Sequence, residues 1–295
     1  MLVGRSHECN WPKEITNLPI LTGQKTAFTS AAQTDAQVSS MLASGESLYT
    51  IDETLIESLR PDLILTQDIC SVCAIDLPSV ERLAGRIHKT QGVSPQILSL
   101  NPQGLQDVLD DVVRVGEAVG LQREAELTKN DLLRRRVEVE GAEKPAVPPS
   151  VAFIEWPAPL YIGGHWTPKM IEIAGGSHPL NPSMVRVDGA GKSFPVTHEQ
   201  LADSDPDVII ISPCGLNLEE AEQEASALLQ QDWFQGLRAV REGRLFVVDG
   251  DAMFNRPGPR LVDALEWLHT ILQPQSASAS AKKTAANFPY KRLAW

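Results

Sequence analysis

No stretch of this sequence approaches the roughly 20 consecutive apolar residues that a membrane-spanning helix needs, so no spanning segment is expected. Basic residues are also scarce. Lys and Arg number 26 against 38 Asp and Glu, a formal net charge of −12. That balance argues against nucleic acid as a partner, because phosphate recognition needs a basic footprint. It offers no attraction to an anionic membrane either. Cysteines are few: Cys9, Cys70, Cys73 and Cys214. The opening "MLVGRSHEC" has neither a basic segment followed by an apolar one nor a cleavage site. The chain as written is therefore expected in the cytoplasm, with thiols or metal ligands rather than a disulfide framework. Catalytic signatures are missing as well. There is no nucleophile elbow, phosphate loop, HExxH or dinucleotide fingerprint, and "GAGK" at 189–192 is too short for a phosphate loop. Nothing in the motifs argues for an enzyme.

Hydrophobic residues make up 42% of 295, enough for one large domain or two lobes. The first third alternates strands and helices. "SLYTID" leads into "ETLIESL", then Pro61 stops the helix before the apolar strand of residues 62–66. "LPSVERLAG" is a short helix with Pro78 near its start, and "PQILSLN" is another strand. Alternation of this kind predicts a parallel α/β sheet. From Leu105 the apolar residues follow helical spacing, and Arg123 to Glu140 runs without Gly or Pro. That charged helix is about 27 Å long at 1.5 Å per residue, with only a thin apolar stripe. The Pro-rich "GAEKPAVPPS" follows it. The second half repeats the α/β theme with "SVAFIEW", "DPDVIIISP", "GRLFVVDG" and the amphipathic "GPRLVDALEWLHTILQ". The tail from Pro274 is small, polar and then basic, and reads as disordered.

The phrases "LVGRSHECNWP", "SGESLYTIDETLIESLRPDLILTQDICSVCA", "DVVRVGEAVG", "AFIEWPAPLYIGGHWTPKMIEIAGG", "DPDVIIISPCG" and "VREGRLFVVDGDAMFNRPGPRLVDALEWL" are spread in order over about residues 1–272. Together they resemble the periplasmic-binding-protein family that carries vitamin B12 and iron siderophores, and most of all its cobalamin-binding branch. The resemblance implies two parallel-sheet α/β lobes joined by one long helix, with a ligand cleft between them. On that reading residues 1–121 are the N-terminal lobe, 122–141 the linker helix, 142–273 the C-terminal lobe and 274–295 a disordered tail. It also implies a strand and helix ahead of "VGRSHEC". The chain thus reads as N-terminally truncated, with a periplasmic or organellar location open for a fuller form.

Parallel α/β sheets place ligands at the carboxyl ends of their strands. Three phrases rich in functional groups sit there: "SHECNW", "QDICSVCA" and "EWPAPLYIGGHW". From them come the candidate ligand contacts His7, Glu8, Cys9 and Trp11, then Cys70 and Cys73, then Trp156, Tyr161, Gly163, Gly164, His165 and Trp166. Arg256, in "FNRPGPR", joins them through its planar donor fork. The indoles and Tyr161 offer stacking faces for a flat macrocycle, or they pack in the core. Gly163 and Gly164 allow close backbone approach, or simply form a turn. His165 donates to a ligand or faces solvent, and Arg256 serves a ligand or an ion pair with the Asp249/Asp251 region. Cys214 is expected to be a small packing residue. His7, Cys9, Cys70 and Cys73 could make a Cys3His zinc set. The CxxC could equally be a redox pair or inert thiols.

The leading expectation is a monomeric binding protein for a cobalamin-like corrinoid or related metal chelate, held without turnover and passed to an ABC-transporter permease. The alternative is an intracellular zinc metalloprotein or thiol enzyme on the same scaffold, since fold does not dictate function.

Overall fold

The computed structural model describes residues 1–67, 75–184 and 188–294. The chain divides into two compact units, Met1–Asn101 and Pro102–Trp295.

In the first unit the order is β1 (Thr22–Gln24), α1 (Ala31–Ala43), β2 (Tyr49–Ile51), α2 (Glu53–Leu59), β3 (Leu63–Gln67), α3 (Leu77–Gln91) and β4 (Gln96–Leu100). β3 and β4 pair in parallel from Leu63↔Gln96 to Gln67↔Leu100, and β1 and β2 pair antiparallel. Local chemistry sets the helix ends. The Asp76 carboxylate accepts the Ser79 N–H at 2.8 Å to start α3. Gly92, with φ of 74°, closes it in the left-handed conformation. α2 stops at Leu59, as Pro61 requires. Ile56, Leu83 and Ile87 form a small core against Leu21 and Ile51.

The second unit continues with α4 (Leu105–Ala118), α5 (Gln122–Glu140), β5 (Val151–Pro157), β6 (Leu160–Ile162), α6 (Thr167–Ile173), β7 (Phe194–Pro195), α7 (His198–Asp203) and β8 (Val208–Ile211). Then come α8 (Leu218–Leu229), α9 (Asp232–Gln235), α10 (Arg238–Arg241), β9 (Leu245–Val248), α11 (Arg260–Leu272), α12 (Ala279–Ala286) and β10 (Tyr290–Leu293). Its six-stranded sheet has the order β10-β9-β8-β5-β6-β7. The central strands β5, β8 and β9 are parallel. β8 and β9 are buried along their whole length, as strands covered on both faces must be. The flanking strands β6, β7 and β10 run antiparallel to their neighbours.

Two expectations need correction. The tail read as disordered is structured over residues 274–294: Ser278 caps α12, and β10 pairs with β9 from Tyr290↔Val248 to Leu293↔Leu245. Composition concealed this, because a Ser/Ala run looks unstructured. Yet Ala281 and Ala285, four residues apart, put a small buried face on α12, and Phe288 is buried beyond it. The boundary at 121 also moves, since the division falls after Asn101. The helix read as a linker, α5, is built into the second unit. Its stripe Ala125, Leu132 and Val139 is buried, and Leu132 packs in one cluster with Leu109 of α4 and Val262 of α11. Arg135 fixes it further, reaching Glu266 and Asp263 of α11 at 2.6 Å each.

Candidate functional site

In the first unit, Arg5 organises the loop that carries His7 to Trp11. Its main chain bridges to Ile20. Its guanidinium donates to the carbonyls of Ser6 (3.3 Å), Cys9 (3.0 Å) and Thr16 (3.1 Å). His7 is half-buried, with Nδ1 2.7 Å from Thr22 Oγ1 and Nε2 3.3 Å from a Glu8 carboxylate oxygen. Its ring lies 5.7 Å from that of Tyr49. Cys9 is exposed, and its sulfur accepts from Ser6 Oγ at 3.3 Å. Trp11 is 50% exposed. The loop thus presents an imidazole, a carboxylate, a thiol and an indole on one cation-anchored turn. Cys70 and Cys73 lie outside the described residues, so the CxxC half of the zinc set is not placed. Among the described residues no three His, Cys, Asp or Glu side chains gather as a metal site.

In the second unit β5 and the loops after β8 and β9 are held together by main-chain contacts and the Asn255 side chain. Cys214 N–H donates to Glu155 O at 3.2 Å. A Cβ on Gly250 would stand 1.9 Å from Pro213 O, so the β8 and β9 loops touch main chain to main chain. Asn255 Nδ2 donates to both Ser212 O and Gly250 O at 3.0 Å. Cys214 is exposed, not the packing residue its place after an apolar strand suggests. Its loop turns out of the sheet at Pro213, so strand burial does not carry over to it.

Trp156 and Tyr161 are cross-strand partners on the β5–β6 hairpin and both are half-buried. The Trp156 indole donates to Ala158 O at 3.1 Å. Trp166 corrects the sequence reading. It is 5% exposed, and its indole N–H donates to Phe254 O at 2.6 Å, so it is a core residue with no open stacking face. Gly163 and Gly164 are also buried. A Cβ on Gly163 would lie 2.7 Å from the Phe153 ring, and one on Gly164 2.4 Å from Ser193 N. Internal packing alone accounts for both glycines. His165 is half-buried at φ of 54°.

Arg256 donates from Nε to Asp251 O and from Nη2 to Asp251 Oδ1. Nearby, burial pushes the Asp249 carboxyl above the usual carboxylate range. Burial, and then the Arg256 charge, lower Arg260 below the usual guanidinium range. Two cations and two anions thus meet in a half-buried, balanced group at the end of β9. A separate cavity of about 280 Å³ lies between the β5–β6 turn and α8, lined by Pro157, Leu160, His198, Glu224 and Leu228 among others. None of the candidate residues lines it. The sequence did not mark Arg136 and Asp188, whose side chains pair at 2.8 and 2.9 Å beside the loop that bonds the His165 main chain. The Asp lies in "VDGAG", where no periodic pattern marks it, and its partner is 52 residues away.

The chain thus has two α/β units, with aromatic and polar candidate groups on the 7–11 loop of the first and on the β5–β6 hairpin and the turns around β8 and β9 of the second. The chain belongs to the periplasmic binding protein family, whose pattern matches residues 3–252. It is accordingly a binding protein of transport type and not an enzyme. It is similar in structure to a periplasmic heme-binding protein from Pseudomonas aeruginosa, at 21% identity and a TM-score of 0.65, over 93% of this chain and 86% of that one. It is similar to the periplasmic heme-binding protein BhuT in complex with two hemes, at 23% identity and a TM-score of 0.63, over 92% and 88% of the two chains. It is also similar to the periplasmic vitamin B12-binding protein BtuF of Vibrio cholerae, at 19% identity and a TM-score of 0.60, over 96% and 89%. No curated protein matches the chain in sequence. No helix among the described residues is long and apolar enough to cross a membrane. The cytoplasmic expectation and the zinc alternative gain no support from these likenesses.

Proposed function

We propose that this protein binds a metal-chelated tetrapyrrole, a cobalamin-like corrinoid before all others, holds it unchanged in the periplasm and passes it to an ABC-transporter permease. The observation that carries the choice of ligand is the commitment of the nearby cations. Arg5 Nη1 and Nη2 donate to three carbonyls of its own loop, and Arg256 pairs with Asp251. A polyanionic siderophore would require arginines held ready for it. A corrinoid presents neutral amides and an apolar rim, which suit carbonyl-rich loops and half-buried aromatics. Trp156, Tyr161, His165 and Arg256 are the contacts proposed on the second unit, and His7, Glu8, Cys9 and Trp11 those on the first. Gly163, Gly164 and Trp166 support them from within the core.

Parallel titrations with cyanocobalamin and hemin, read by tryptophan fluorescence and absorbance, test this reading. Saturable quenching by cyanocobalamin at micromolar concentration or below is expected. Binding of hemin alone, with a shifted Soret band, would reassign the ligand to heme. Binding of neither at high micromolar concentration would overturn the proposal.

A further inference from the structure

The Asp188 side chain has every acceptor engaged. Oδ1 accepts from Arg136 Nη2 at 2.9 Å, and Oδ2 accepts from Arg136 Nη1 and the Gln106 N–H, both at 2.8 Å. Its carbonyl accepts the Leu105 N–H at 3.1 Å. One residue therefore caps the first turn of α4 and clamps it to α5 through a bidentate ion pair. Both side chains are well covered, Arg136 at 11% and Asp188 at 20% exposure. Solvent screening therefore weakens this pair less than an exposed one.

The next three residues hold His165. A Cβ on Gly189 would lie 2.4 Å from His165 O and 2.7 Å from Gln103 O, so the loop is wedged between those two main chains. Ala190 N–H donates to His165 O at 2.6 Å, and His165 N–H donates to Gly191 O at 2.9 Å. Both backbone groups of His165 are thus bound by a loop anchored at Asp188. His165 sits at φ of 54°, a conformation a non-glycine residue keeps only when its surroundings impose it.

We infer that Arg136 and Asp188 are positioning residues. The pair locks residues 188–191 onto the start of α4, and that loop sets the backbone, and so the ring direction, of His165. Neither residue belongs to the proposed ligand contacts. The consequence for affinity rests on the reading of His165 as one of those contacts, whereas the coupling itself does not.

The test separates the two. Amide hydrogen exchange is measured on the ligand-free protein for wild type, Asp188→Asn and Arg136→Lys. Arg238→Gln serves as control, because it breaks an ion pair with Asp205 and Asp207 elsewhere in the same unit. Asp188→Asn puts an NH2 group where the carboxylate accepted. Exchange at Ala190 and His165 should then rise at least tenfold while amides in the middle of α11 stay protected, and Arg238→Gln should leave all of these unchanged. Acceleration confined to Leu105 and Gln106 would overturn the coupling. If Asp188→Asn does not fold, Arg136→Lys decides, because it keeps the charge and loses the bidentate fork. Cyanocobalamin and hemin are then titrated into the same variants. A tenfold or greater loss of affinity, seen mainly in the dissociation rate and with α11 amides as protected as in wild type, is expected. If wild type binds neither compound, the ligand reading fails and the exchange data still decide the clamp. Intact affinity together with accelerated exchange would overturn the positioning role.

Discussion

Trp267 and Phe288 lie face to face, their ring centroids 4.7 Å apart and their planes within 12° of parallel. This contact closes the core of the second unit with a residue from the C-terminal segment, and Tyr290 joins it 5.2 Å from the Trp267 ring. Phe288→Ala is expected to destabilise the protein by about 3 kcal/mol, the usual cost of deleting a buried aromatic. Denaturant unfolding with an unchanged m-value measures it. A loss below about 0.5 kcal/mol would mean the segment is not docked in solution.

Glu266 is 2% exposed, and Arg135 is its partner through two hydrogen bonds. Arg135→Ala leaves that carboxylate buried beside Asp263 alone, at an expected cost of about 3–5 kcal/mol. Replacing both, Arg135→Met with Glu266→Leu, should recover most of the loss. Equal destabilisation by the single and double variants would show that burial of the charge is not the cause.

His178 is 2% exposed, and burial pushes its imidazole down to about 4. Its pKa is lower in the folded protein than in the unfolded chain, so the unfolded chain binds the extra proton first. Stability is complete above about pH 6.5 and falls as pH drops from there toward 4, by roughly 3 kcal/mol over the window. His178→Asn should flatten that part of the stability-against-pH curve. An unchanged slope in the variant would place the acid sensitivity elsewhere.

Trp156 and Trp166 should separate cleanly. Trp156→Ala is expected to weaken cyanocobalamin binding by roughly 1–3 kcal/mol with little change in melting temperature. Trp166→Ala is expected to lower the melting temperature sharply, because the indole is buried and bonded to Phe254 O. Reversed outcomes for the two variants would show that their assignment as contact and core residue is inverted.

Much of the fold was legible because burial leaves a pattern in sequence. The apolar runs at 62–66, 151–154 and 208–211 fall on β3, β5 and β8, and Pro61 marks the end of α2. The site was less legible. A tryptophan beside "GGH" reads the same whether its face is open or covered, and only the position of Phe254, 88 residues on, covers it. The docked tail escaped for a related reason. Alanine and serine carry little hydrophobic signal of their own, and their value lies in letting α12 sit close against α11.

The sequence by itself determined the α/β alternation and the strand positions, because hydrophobic period and helix punctuation are local properties, and its ordered phrases carried the resemblance to the family. Tertiary structure decided which indole is core, where the chain divides, and that Asp188 reaches Arg136 and the α4 N-terminus together. Those outcomes depend on packing and on hydrogen-bond partners brought together from distant parts of the chain, and no local pattern of residues encodes such a meeting.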